Sequence, residues 1–312
     1  MLEPVYELEN VTFYYKKGRY KANDGISLTI YKGEIIGILG PNGAGKTTLI
    51  KQMIGQLAPV EGSVKFQGQE VSRNTKDVIQ QIAYYSQETF ALSFLKTWEA
   101  IYFTGRLKGL SKKEAKQQTE AILLRLGMET YRNKLVSKLS GGQRRLISLG
   151  TTLIGQASVI ILDEPTNELD PLKRKLVWEI IRELNHRGTT IILVTHNILE
   201  AEKVVHRVAV IDNGRLLAID YVEKLKRRVD QRMRLEIYAQ EASIQKVQDS
   251  LEIFGKIELV EDIKLTMLIE KNTIRTVIDL IQDETLNISQ YSLLPPSLED
   301  VYSMLQGQQR SE

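Results

Sequence analysis

The chain of 312 residues contains no cysteine. Neither a disulfide nor a thiolate-held metal is therefore open to it, which fits a reducing compartment. Histidine is almost as scarce, with only His186, His196 and His206. No apolar stretch approaches the roughly 20 residues of a membrane-spanning helix. The start, Met1-Leu2-Glu3-Pro4-Val5, has neither the basic nor the apolar region expected of a secretory signal. Work at a membrane is thus expected to run through a partner. An excess of one charge is missing too: 42 Lys and Arg face 39 Asp and Glu, a net charge of +3, and no long basic run occurs. Strong nucleic-acid binding is not expected from that balance. Whole-chain repeats and low-complexity segments are also absent. What remains is an ordinary globular composition, 42% hydrophobic and 26% charged. A chain of this length can bury about three quarters of its unfolded surface. One large domain and one small one are expected.

Against these absences one run stands out, Gly40-Pro41-Asn42-Gly43-Ala44-Gly45-Lys46-Thr47-Thr48. An apolar, strand-like stretch over 34–39 leads into it, and a helix-compatible stretch over 48–54 leads away. In that context GxxxxGK[ST] reads as a phosphate-binding loop. The glycines let backbone N–H groups curl inward on one anion. The helix adds unpaired N-terminal donors and the positive end of its dipole. Lys46 is expected to reach the β- and γ-phosphates of a nucleotide, and the Thr47 hydroxyl to take a place on Mg²⁺. A purely structural turn would need neither the lysine nor the paired threonines.

Around this loop the pattern predicts an α/β core. Residues 5–11, 26–30 and 63–66 read as strands set off by Gly18, Gly25, Gly33, Gly62 and Gly68. Ser111-Lys112-Lys113-Glu114 is a capping box. Behind it Ala115, Ile122 and Leu126 recur at helical spacing, and Gly127 stops the run. Residues 159–162 are apolar on both faces, as in a central parallel strand. Asp170-Pro171 supplies an N-cap and a proline at the first helical position. Leu172, Leu176, Val177, Ile180, Ile181 and Leu184 then form one apolar helix face that closes before Gly188. A further buried strand is expected over 189–194. Strand and helix alternate, which argues for a parallel sheet. Asp163 ends its apolar strand, where ligand sites gather in open α/β sheets. Mg²⁺ prefers hard oxygen ligands, and Thr47 with Asp163, directly or through water, fits that preference.

Further motifs follow in a fixed order: Tyr84-Tyr85-Ser86-Gln87, Leu139-Ser140-Gly141-Gly142-Gln143, Ile160-Ile161-Leu162-Asp163-Glu164-Pro165, Asn167-Glu168-Leu169-Asp170 and Val194-Thr195-His196-Asn197. This order and spacing resemble the nucleotide-binding subunit of an ATP-binding cassette (ABC) transporter, over roughly 1–220. A phosphate-binding loop alone marks a very large class, whereas LSGGQ between that loop and the Asp163 strand is specific to the ABC class. The resemblance implies a P-loop NTPase cassette: a RecA-like parallel sheet core, an antiparallel β subdomain, and a helical subdomain over 93–150.

The resemblance also implies roles. Glu164 is the general base polarising the attacking water, its side chain pointing away from that of Asp163. Gln87 contacts Mg²⁺ or that water and senses the membrane partner, and His196 contacts the γ-phosphate. Phe13, Tyr14, Tyr15 and Tyr20 lie where the family stacks an aromatic residue on adenine, and Tyr15 is the best match. Ser140, Gly141, Gly142 and Gln143 read as a second helix N-terminus open to an anion, followed by Arg144 and Arg145. One nucleotide does not need two such clamps. In the family the second clamp acts in trans, so two copies face head to tail with ATP between them. One departure is Glu168, which stands where the family usually has a small residue. His186 and His206 carry no motif and read as structural.

Residues 221–231 read as a charged linker. Beyond it, over 232–312, the pattern becomes βαββαβ, expected to be a small α+β ferredoxin-like domain. The terminal Pro295-Pro296-Ser297-Leu298-Glu299-Asp300-Val301-Tyr302 resembles the tail of ATPase subunits from bacterial ABC-2-type exporters. The resulting expectation is an ATPase with ATP and Mg²⁺ as cofactors, powering a separate transmembrane permease from the cytoplasmic face of the membrane. The permease would dock near the Gln87 loop and residues 94–107. A soluble ABC ATPase acting on ribosomes or DNA is the alternative. Such relatives usually carry two cassettes or a long inserted coiled coil, and neither is visible. A non-catalytic module would predict a damaged catalytic site, whereas every catalytic position is filled.

Overall fold

The computed structural model describes residues 3–15, 20–86 and 92–309. Gln87 lies outside the described residues. The chain divides into two compact units, Met1–Val222 and Glu223–Glu312.

In the first unit two long strands, β1 (Pro4–Tyr15) and β2 (Tyr20–Tyr31), precede the apolar β3 (Ile35–Leu39). Helix α1 (Lys46–Met53), strands β4 (Glu61–Phe66) and β5 (Gln69–Glu70), helix α2 (Thr75–Gln81) and strand β6 (Ile82–Tyr85) follow. Next come the helices α3 (Thr97–Leu107), α4 (Lys112–Arg125) and α5 (Gly141–Leu153). The unit then alternates as β7 (Val159–Asp163), α6 (Pro171–His186), β8 (Thr190–Thr195), α7 (Ile198–Ala201), β9 (Arg207–Asp212) and β10 (Arg215–Tyr221). The short α8 (Val222–Lys226) spans the division between the units.

Two sheets result. The first, in the order β2-β1-β4-β5, is antiparallel throughout. The second runs β10-β9-β3-β8-β7-β6; its strands are parallel except for the β9–β10 hairpin. Every residue of β3, β7 and β8 is buried, the signature of strands covered on both faces. Their register sets Ile35 beside Ile191 and Asp163 beside Val194. A single apolar cluster joins the two sheets through α1: Tyr6, Ile26 and Ile30 meet Leu49, Ile50 and Met53, and these meet Ile36 and Ile38. Each such buried side chain contributes about 1.5–3 kcal/mol. The core therefore fixes α1, and with it the loop that feeds α1, against both sheets. Tyr6 illustrates the fit. Its ring is wholly buried, its hydroxyl donates to Met53 O at 3.1 Å, and burial pushes its ionisation upward.

Local signals explain most element ends. Ser111 Oγ accepts from the Glu114 amide while the Glu114 carboxylate accepts from the Ser111 amide, starting α4. Asp170 caps α6 through the Lys173 amide, with Pro171 at the first helical position. Three expectations are corrected. Gly25 lies inside β2, at φ +65° between bulged registers, and does not end a strand. Leu172 is 81% exposed, because α6 buries only the stripe of Val177, Ile180 and Ile181. Gly62, like Gly25, lies inside a strand, β4, at φ +83°, and does not separate strands, whereas in α4 Ala115 and the C-cap Leu126 are buried and Ile122 is half-buried, at the spacing expected.

The second unit contains β11 (Met233–Ala239), α9 (Ile244–Leu251), β12 (Gly255–Val260), β13 (Lys264–Ile269), α10 (Ile274–Ile281), β14 (Ile288–Leu294) and a terminal α11 (Leu298–Gln309). Its antiparallel sheet is ordered β12-β13-β11-β14, the strand order of a ferredoxin-like βαββαβ unit. Leu235, Ile237, Leu265 and Met267 alternate along the strands and pack on Val247 and Leu251 of α9 and Val277 and Ile281 of α10. Helix α11, for which no element was expected, is entered through Asp300, whose carboxylate accepts from the Ser297 amide and pairs with Arg234 at 2.7 Å.

Candidate functional site

The loop between β3 and α1 is shaped by close approach. A side chain at Gly40 would place its Cβ 2.0 Å from Ile211 O, and one at Gly45 would place it 2.1 Å from Ala22 O. Gly45 is also left-handed at φ +98°, a conformation that favours glycine. It begins α1 with no side chain capping the helix. Among the described residues, the amides of Gly43 and Gly45 take no partner in the chain. Behind the loop sits a buried amide relay. Asn23 Nδ2 donates to Gly45 O at 3.2 Å, and Gln52 Nε2 donates to Asn23 Oδ1 at 2.6 Å.

Lys46, Thr47, Thr48, Asp163 and Glu164 line one cleft of about 400 Å³ with Asn42, Gly43, Ala44 and Gly45. Lys46 is 7% exposed, and its ammonium donates to Gly40 O at 2.8 Å and Pro41 O at 2.9 Å. Burial pulls its pKa down, against the opposing pull of Glu164 and Asp163. Asp163 shows the mirror effect: burial raises its pKa, opposed by the Thr47 hydroxyl, while the neighbouring Glu164 adds to the rise. Cation and anion alike are thus disfavoured by the same dry cleft.

The two adjacent carboxylates diverge. Asp163 Oδ2 accepts from Thr47 Oγ1 at 3.2 Å and from the Tyr84 hydroxyl at 3.4 Å. Glu164 turns the other way, on a left-handed backbone at φ +53°. Its Oε2 accepts from Thr195 Oγ1 at 2.8 Å. Its Oε1 accepts from the His196 amide at 2.9 Å and lies 2.6 Å from His196 Nδ1. Strain of this kind gathers at sites that need a fixed side chain. Thr195 and Tyr84 were assigned no role from sequence. The available signal for Thr195 is a hydroxyl closing a buried strand that is apolar from Ile191 to Val194. Asn23 and Gln52 were also missed, since a lone buried amide in a strand or helix leaves no pattern.

The two tyrosines flank the loop differently. The Tyr15 hydroxyl lies 3.4 Å from Thr48 Oγ1, its ring edge-on to Phe13. The Tyr20 hydroxyl donates to Gly43 O at 3.1 Å, and Tyr20 lines the cleft. His206 Nδ1 accepts from the Ile35 amide at 3.1 Å, a structural tie.

Ser140, Gly141, Gly142 and Gln143 do not line this cleft. They open α5, where Ser140 Oγ accepts from the Gln143 amide at 3.3 Å and Gln143 Oε1 accepts from the Ser140 amide at 3.0 Å. The far end of α5 is held as well. Lys108, next after α3, has an exposed stem but donates its part-buried ammonium to the carbonyls of Thr151, Thr152 and Ile154. Burial pulls its pKa down to about 8.

Loop, helix start and paired strand-end carboxylates define a P-loop nucleotide hydrolase of the α/β class. Comparison with known proteins narrows this. Residues 23–167 match the ABC transporter family. Over 218 residues the chain is 35% identical to Nod factor export ATP-binding protein I of Paraburkholderia xenovorans, covering 70% of this chain and 71% of that one. Over 209 residues it is 36% identical to daunorubicin resistance ATP-binding protein DrrA3 of Streptomyces coeruleorubidus, covering 67% and 66%. The chain thus spans about two thirds of the length of these relatives. Among solved structures, the dimeric post-hydrolysis state of the cassette MJ0796 with ADP and Pi superposes with a TM-score of 0.64, covering 69% of this chain and 98% of that one at 24% identity. The chain belongs to the ATP-binding subunits of the ABC transporter family. It is an ATP-binding and ATP-hydrolysing subunit of the transporter class.

Proposed function

We propose a division of labour among these residues. Lys46 and the amides around Gly43 and Gly45 take the phosphate charge of ATP. In doing so Lys46 exchanges its two loop carbonyls for phosphate oxygens, whose negative charge offsets the desolvation that lowers its pKa. Thr47 and Asp163 hold Mg²⁺. Their oxygens are 3.2 Å apart, near the separation of about 2.9 Å between adjacent ligands in an octahedron of 2.0–2.1 Å bonds. When bound, Mg²⁺ neutralises charge that develops on the phosphate oxygens. Glu164, aimed by Thr195 and His196, polarises the attacking water, and His196 stands next to the γ-phosphate. Tyr15 or Tyr20 stacks on the base. Gln87 is proposed as the contact to the metal or water and to the membrane partner.

The observation that carries this reading is the divergence of Asp163 and Glu164, one turned to a hydroxyl fit for a cation, the other to a histidine. Phosphoryl transfer needs both a charge clamp and an aligned nucleophile. Glu164→Gln is expected to bind ATP and hydrolyse it about 10²–10⁴ times more slowly. Phosphate release close to that of the parent protein would overturn the role.

We further infer that Ser140–Gln143 clamps the γ-phosphate bound by a second copy of the chain, giving an ATP-dependent homodimer; the dimeric MJ0796 cassette supports this by analogy of fold. No described helix is long and apolar enough to cross a membrane. The relatives named as ATP-binding proteins of export and resistance systems support a separate permease, with this chain peripheral to it on the cytoplasmic face. The names of the two relatives, export of Nod factor and resistance to daunorubicin, favour export. Co-purification of a polytopic membrane protein tests the partner; recovery of ribosomes or nucleic acid in its place would refute it.

A further inference from the structure

Glu168 sits in the turn between β7 and α6, four positions beyond Glu164. Its backbone is left-handed at φ +62°, where glycine is at ease and a larger residue is strained. A charged side chain is kept there all the same, and its surroundings are specific. Oε1 lies 3.3 Å from Arg145 Nη2. Oε2 lies 3.6 Å from the position a Cβ on Gly141 would occupy, and the Glu168 carbonyl lies 3.5 Å from the same position on Gly142. The carboxylate therefore lies alongside the first turn of α5, in van der Waals reach of Gly141 but without a hydrogen bond to the amides there. The Ser140–Gln143 box occupies the Gln143 amide. The Gly141 and Gly142 amides take no partner among the described residues. Two open amides, the positive end of a helix of 13 residues and a guanidinium favour an anion. The anion that the chain itself brings there is Glu168.

We propose that Glu168 is an internal competitor for the phosphate-receiving end of α5: the carboxylate, held by Arg145, must swing away before the γ-phosphate bound to a second copy can take its place. This rests on the two-copy reading above. The Glu168 side chain is 64% exposed and that of Arg145 15%. The largely exposed carboxylate is the member that moves: solvent screens it, and its departure leaves the mostly buried Arg145 in place. It nonetheless sets a threshold, since closure must exchange one anion for another. The P-loop end of the cassette is untouched by this competition.

The test compares Glu164→Gln with Glu164→Gln/Glu168→Gln and Glu164→Gln/Glu168→Gly. The dimer fraction is followed by sedimentation across a Mg-ATP titration. Single-copy ATP binding is measured with a fluorescent analogue at high dilution. Glu168→Gln keeps the size and the strained backbone and removes only the charge. It is expected to lower the ATP concentration for half-dimerisation roughly fivefold or more, the weight of one unit-charge contact at 4 Å in water. Single-copy binding should not change, and the gap should shrink in high salt. A normal dimer whose midpoint is unmoved, or raised, by Glu168→Gln overturns the role of Glu168 alone. A shift seen only with Glu168→Gly also overturns it, since backbone strain would then be the cause. If none of the three dimerises, the two-copy reading itself fails and this inference falls with it.

Discussion

The starts of α1 and α5 are chemically alike and structurally opposite. Both follow glycine-rich segments and both present a positive helix end. At α1 the first residues are bare: no side chain caps the helix, and its lysine is turned back on its own loop. At α5 the first turn is furnished, with a serine–glutamine capping box and the Glu168 carboxylate alongside. A bare helix start, walled by Asp163 and Glu164 in a cleft of about 400 Å³, suits a ligand held by one chain. A furnished start outside that cleft suits a ligand delivered by another. The same local motif thus suits two proposed roles through what the rest of the fold sets beside it.

The support behind the two helices differs as well. α1 is fixed by the core cluster on both of its sides and by the Asn23–Gln52 relay under Gly45. α5 is held at its far end by one lysine that reaches three carbonyls. Three substitutions would break or sharpen this contrast.

The largest effect is expected at α1. Lys46→Ala removes the cation from the phosphate-receiving loop and should cut phosphate release by about 10²–10³. Nucleotide retention should fall in parallel. An activity loss with full retention would mean that Lys46 acts on the transition state alone. Next in size is the carboxylate between the two helices. Thr195→Val keeps volume and deletes the donor to Glu164 Oε2. It should slow turnover about tenfold, the weight of one hydrogen bond to a charged group. ATP binding should be unaffected, and an unchanged kcat would show that His196 alone aims the base.

The smallest effect on chemistry, but a clear one on stability, is expected at the rear of α5. Lys108→Met leaves three helix-end carbonyls without their donor and should cost about 2 kcal/mol, read as a lower Tm. Its pH dependence has a definite sign. The folded chain holds Lys108 at a pKa of about 8, below the ordinary 10.5. Between those values the unfolded chain binds more protons, so parent stability rises with pH across that window. The gap between parent and Lys108→Met should therefore widen from pH 8 to 10.5. A gap that narrows would mean that attraction between the ammonium and the helix end outweighs the cost of burying the charge.

Much of the fold was legible because its signals are local. Ser111–Glu114 and Asp170–Pro171 announce α4 and α6, and the apolar runs 159–162 of β7 and 191–194 of β8 announce a covered parallel sheet. The loop 40–48 was equally plain as a candidate phosphate site, since glycine, lysine and hydroxyl spacing is itself the chemistry expected of one. Other features were not legible for a physical reason. Leu172 reads as part of an apolar face, yet the turn before α6 leaves it outside the packed stripe. Gly25 reads as a strand end, yet a bulge in an antiparallel pair absorbs it. Tyr84, Asn23, Gln52 and Lys108 act across long sequence separations, and no spacing rule reports such contacts.

What the sequence determined alone was therefore the inventory: a phosphate loop, a strand-end Asp–Glu pair, a second helix start and the ABC order that links them. Those depend on hydrogen-bond geometry within a few residues. Only the tertiary structure decided that Glu164 turns to Thr195 and His196 while Asp163 turns to Thr47, and that Glu168 lies alongside α5. Side-chain direction at a strained turn is set by the partners that the core brings to it, and those partners lie far away along the chain.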